Sequence, residues 1–170
     1  MKLVALILPF ALLTTSVQAA DTECLSNKYS QYVDASLTWY KELIAITIKK
    51  DPNLESVGEW FLEGRQHHFE LNRAAVDFYL KNDPSKVKTN QSIESWLQLD
   101  QKEIKTLAAN NDALGKVAKI TFDDRQTQPH KQNYELRSAF ADILSHPKEI
   151  DAPLNAYNET ISKISDITCK

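Results

Sequence analysis

Cys24 and Cys169 are the only cysteines of the chain, and they stand near its two ends. Neither belongs to a C-x-x-C pair or has a histidine beside it, so redox chemistry and thiolate metal binding have no local support. What remains is a structural disulfide, which persists in oxidising compartments. Closing a loop of nearly the whole chain, it demands that the first element start beside the place where the last one ends.

The chain opens MKLVALILPFALLTTSVQAA. A lysine near the start, an apolar run from Leu3 to Leu13 and small residues at Val17, Ala19 and Ala20 have the form of a signal peptide, residues 1–20. The run is too short to span a membrane, and nothing later approaches about 18 apolar residues in a row. About 150 residues then remain, 21–170, enough for one helical domain with a sizeable core. Removing Lys2 leaves 19 basic against 23 acidic side chains, so the net charge goes from −3 to 19 − 23 = −4. There is no basic run, and nucleic acid and anionic membrane surfaces are poor partners for such a surface.

Apolar residues recur at helical spacing almost everywhere. From Glu23 to Lys49 they fall at Leu25, Tyr29, Tyr32/Val33, Leu37, Tyr40, Leu43/Ile44 and Ile48, until Asp51-Pro52 stops the pattern. Gly58–Lys81 forms a second rod, ended by Asp83-Pro84. From Ser92 the period resumes and runs to Phe122. It predicts one long helix with a kink or break at Asn110–Asp112, or else two shorter helices. Lys131–Ser145 is a fourth helix, interrupted at Pro147, with Asp151 as a new cap and Pro153 in the following first turn. The expected fold is all-α: an up-down-up-down four-helix bundle, its last helix kinked or split near Pro147–Pro153. The even number of rods returns Cys169 to the end where Cys24 starts.

The second rod carries the unusual residues. Arg65, His68 and Asn72 fall at i, i+3 and i+7 inside its apolar arc. An arginine on a core face needs an acceptor, and the period of the third rod offers Asp100. Arg65, His68, Asn72 and Asp100 therefore form a candidate polar cluster. It either lines a pocket between helices or satisfies itself as a core network that fixes register, which is the commoner role. Glu63, His67 and Glu70 share one side of the same helix and are the only weak metal candidates; hydrogen bonding on a wet face accounts for them as well. Haem is disfavoured, because no Cys-x-x-Cys-His occurs and the single methionine is Met1. No Gly-x-Ser-x-Gly elbow or phosphate-cradling loop is present.

These features predict an exported protein, periplasmic or secreted, that acts by binding another protein as an inhibitor, immunity, adaptor or accessory factor. Catalysis and a cofactor are not expected. The alternative is a ligand- or metal-binding bundle with its pocket at Arg65, His68 and Asn72.

Overall fold

The computed structural model describes residues 15–169; residues 1–14, and with them most of the expected signal segment, lie outside the described residues. Six α-helices make up the described chain: α1 (Thr15–Lys50), α2 (Glu55–Asn82), α3 (Gln101–Ala108), α4 (Ala113–Asp124), α5 (Asn133–Leu144) and α6 (Pro147–Ser165). None of the helices among the described residues is long and apolar enough to cross a membrane.

α1 and α2 form the central hairpin. Asp51 takes an extended conformation before Pro52, and its carboxylate accepts from the Asn53 amide, so the chain reverses through one 3-10 turn, Pro52–Leu54. The seam is the one the periodicity marks: Tyr29, Tyr32, Val33 and Leu37 of α1 are buried with Phe69, Leu71, Ala75, Val76 and Leu80 of α2. Burying one such aliphatic or aromatic side chain is worth about 1.5–3 kcal/mol. Thr47 is buried without penalty because its hydroxyl donates to the Leu43 carbonyl at 2.8 Å.

The expected third rod is the main correction. Ser92 does not open a long helix. Residues 83–100 form an irregular strap with two 3-10 turns, Pro84–Lys86 and Ile93–Ser95. The strap inserts Val87, Ile93, Trp96 and Leu97 into the hairpin core. The Trp96 ring lies 5.8 Å from that of Tyr29, the planes 17° apart, and its Nε1–H donates to the Gln91 carbonyl at 3.1 Å. Regular helix begins only at Asp100, whose carboxylate accepts from the Glu103 amide while Glu103 accepts from the Asp100 amide. This reciprocal capping box is a helix start.

A second start follows at Asp112, which accepts from the Gly115 amide at 2.7 Å. α3 and α4 therefore fold back on one another as a short hairpin. Gly115 is required there, since a Cβ at that position would sit 2.1 Å from the Asn110 carbonyl oxygen. α4 returns along α2, where the buried Thr121 donates to the His67 carbonyl at 3.0 Å.

α5 packs at the turn end of the central hairpin, with Leu136 against Ile44, Leu54 and Val57 and Ile143 against Leu43 and Ile150. The chain breaks at His146, which leaves the helical region before Pro147, and α6 runs antiparallel to α1. The pairs Ile150 with Leu43 and Tyr157 with Trp39 give that direction, and the Cys24–Cys169 bond ends it. α6 begins at Pro147, so Asp151 is no cap and Pro153 lies inside the helix. Proline at the first helical position needs no amide, and that moves the start back to Pro147. The Lys28 ammonium donates to the Ser165 and Ile167 carbonyls, closing the C-terminal end of α6 onto α1.

Candidate functional site

Arg65 is half-buried rather than fully on the core face, and no ion pair joins it to Asp100. Asp100 is exposed and occupied with capping α3. The guanidinium instead lies over two aromatic faces, 5.2 Å from the centre of the Tyr40 ring and 4.9 Å from that of Phe61. The negative ring faces supply what a carboxylate would have supplied, and they leave the N–H edge of the group uncommitted.

His68 and Asn72 do meet. Asn72 is buried, with its side-chain nitrogen 3.4 Å from His68 Nε2. On the other side of the ring, Arg125 Nη2 approaches His68 Nδ1 at 3.5 Å. A guanidinium can only donate, so Nδ1 carries the lone pair. The neutral ring then holds its proton on Nε2, which cannot accept from the Asn72 nitrogen, so that 3.4 Å approach is a contact and not a hydrogen bond. Burial, reinforced by Arg125 and Arg65, pushes the His68 pKa down to about 4. The folded protein thus resists a proton that the unfolded chain accepts below its ordinary value of 6.5. Stability from this residue is full above pH 6.5 and falls as pH drops towards 4, by at most about 3 kcal/mol. Urea midpoints of the wild type and His68→Gln at pH 7, 5.5 and 4 check this. The wild type should lose more than the variant across that window, whereas parallel losses would mean that His68 is solvated.

Arg65 and His68 open onto a cleft of about 310 Å³ between the middle of α2, the end of α4 and the start of α5. Arg125 comes to it from the end of α4, and Arg137 with Asn133 from α5. The chain contains only four arginines, and three of them line this one cleft. The fourth, Arg73, pairs with Asp34 and Glu70. None of the three cleft arginines forms an ion pair among the described residues. Arg125 donates to Gln101 at 3.3 Å and Arg137 to Asn133 at 3.4 Å, both neutral acceptors. Two acids, Glu63 and Asp124, share the lining, and Asp124 is held by His67 Nδ1 at 2.6 Å.

That geometry scatters the candidate metal ligands. Glu63 faces the cleft, His67 is bonded to Asp124, and Glu70 is engaged by Arg73. No group of three His, Cys, Asp or Glu side chains able to hold a metal ion occurs among the described residues.

Gly64 completes the lining, and a Cβ built there meets nothing within 4 Å. A glycine inside a helix costs about 1 kcal/mol relative to alanine, and no packing demand at Gly64 explains it. Its effect is to leave the cleft wall low between Trp60 and His68. Arg125 and Arg137 are the residues that reading the sequence missed. The first reads as part of a polar helix end with Asp123-Asp124, and the second as a solvated position on its helix. The one available signal was the scarcity of arginine. Comparison with protein-family models, curated proteins and solved structures finds no match for this chain.

Proposed function

We propose that this protein works by binding rather than by catalysis, and that its binding site is the cleft between α2, α4 and α5. The observation that carries this reading is Gly64: a helix-interior glycine with no packing reason, at the wall of a cleft where three helices bring polar side chains together. Export to the periplasm or the medium belongs to the same proposal. It is supported by the apolar run at residues 3–13 and by the Cys24–Cys169 bond, which suits an oxidising compartment.

Gly64→Leu tests the site, because its side chain would project into open space and leave the packed faces of α2 untouched. The protein isolated under native conditions is expected to carry or capture its occupant, detected as added mass by native mass spectrometry. The variant is expected to keep the helical circular dichroism and lose that mass. An occupant bound equally well by both proteins would move the site elsewhere.

A partner protein as the occupant is a second reading. Tyr134 and Leu144 favour it, since they leave large apolar groups on α5 with 81% and 51% of their surface exposed, and aromatic residues are enriched at protein interfaces.

A further inference from the structure

Three guanidiniums facing one cleft need a reason. Like charges brought together repel one another, and the chain has acidic side chains in excess with which to neutralise them. It uses them elsewhere: Arg73, Lys50, Lys81 and Lys119 are each ion-paired with carboxylates. At the cleft only Glu63 and Asp124 are present, and Asp124 is already bonded to His67. The residue type matters as well. With four arginines among 20 basic residues, placing three in one lining selects the planar fork over the ammonium. That fork matches carboxylate and phosphate oxygens two at a time. Arg65 is held by stacking on Tyr40 and Phe61, so part of the cost of ordering its side chain is already met by the fold. His68, neutral between Arg125 and Asn72, adds polarity without adding charge. Beside these groups the lining has two polar side chains, Thr127 and Asn133, and two aromatic ones, Trp60 and Phe61, which flank the open strip over Gly64.

Taking that cleft as the binding site, we propose that its ligand is a small aromatic oxyanion. Its carboxylate or phosphate is held by Arg65, Arg125 and Arg137, and its ring lies over Gly64 against Trp60 and Phe61. Arg65 supplies the preset donor, while Arg125 and Arg137, both exposed, close on the anion from the α4 and α5 sides.

The test is isothermal titration of the purified, disulfide-bonded protein with benzoate, phenyl phosphate, inorganic phosphate and benzyl alcohol. Saturable binding of benzoate or phenyl phosphate is expected, and the tighter of the two identifies the anion. Benzyl alcohol and inorganic phosphate should each bind at least about tenfold more weakly, the first lacking the charge and the second the ring. Arg125→Met and Arg137→Met should each weaken the aromatic anion about tenfold and leave benzyl alcohol unchanged. Arg65→Lys should do the same, since it keeps the charge and removes the fork. Arg125 and Arg137 are exposed, so their variants carry the test even if Arg65 proves necessary for folding. Equal affinity for benzoate and benzyl alcohol, or anion affinity unmoved in the arginine variants, would overturn the proposal. If Gly64→Leu then still abolished binding of the neutral probe, the cleft would survive as the site and only the anion would be wrong. Failure of every probe to bind would overturn the aromatic anion and leave the cleft itself to be decided by the native mass spectrometry of the wild type and Gly64→Leu.

Discussion

Replacing Cys24 and Cys169 together by Ser is expected to lower stability by up to about 5 kcal/mol, the largest effect of any change considered. The bond spans 145 residues of sequence, and the chain entropy it removes from the unfolded state grows with the logarithm of loop length. Domains of this size are stable by only about 5–15 kcal/mol, so the loss is a large share of the total. It corresponds to a melting temperature lowered by on the order of 10–15 °C. The structure says where the loss appears first. α6 is held to α1 by the disulfide, by the Lys28 contacts to its last carbonyls and by a seam to which, among the described residues, it contributes Ile150 and Ile164 as buried side chains. Amide exchange in the double Ser variant should therefore accelerate in α6 before it does in the α1–α2 hairpin. Thermal melts of the wild type with and without reductant, beside the variant, check the magnitude. A wild type whose melting temperature is indifferent to reductant would show that the bond contributes little.

Trp96→Ala is expected to cost about 3–5 kcal/mol, the range for removing a large buried aromatic. Trp96 is 2% exposed, stacks on a Tyr29 that is equally buried, and satisfies its indole N–H on the Gln91 carbonyl. It is also the anchor of residues 83–100, which have no helical hydrogen-bond ladder of their own along most of their length. Truncation would leave a cavity against Tyr29 and release the strap that leads into α3. Trp96→Phe preserves most of the stacking and forfeits the hydrogen bond, so it should cost about 1–2 kcal/mol more than nothing and clearly less than alanine. Urea midpoints of the three proteins rank them. An alanine variant within about 0.5 kcal/mol of the wild type, the range of ordinary surface changes, would mean that Trp96 is on the surface and that the strap is not built into the core.

Trp96 also marks where local signals stop deciding. Isoleucine, tryptophan and leucine at 93, 96 and 97 have helical spacing, and so does a 3-10 turn that plugs the same three residues into a groove. Period alone cannot separate the two over so few residues. The sequence did hold the deciding signal, Asp100-Gln101-Lys102-Glu103, a capping-box pattern. Capping α3 and pairing with a buried Arg65 are mutually exclusive uses of the Asp100 carboxylate. An acid three residues before a glutamate has a local use for its carboxylate, and that use won over a distant ion pair. Asp112 repeats the lesson with Gly115, and so does Pro147 over Asp151.

The all-helical class, the α1–α2 hairpin with its proline-marked ends, the disulfide between two lone cysteines and the apolar arc that holds Arg65, His68 and Asn72 were legible in the residues alone. Each of these is written in a few neighbouring residues or in a period carried by one helix, where backbone geometry leaves one reading. Packing between helices was needed to insert residues 83–100 as a strap, to turn α3 and α4 back on themselves, and to lay Arg65 over Tyr40 and Phe61 rather than beside a carboxylate. It alone brought Arg125 and Arg137, 60 and 72 positions further along the chain, to the same cleft. Convergence of that kind depends on how helices cross and where loops return them, which no local spacing encodes, because the same solvated arginine pattern would fold equally well facing open water.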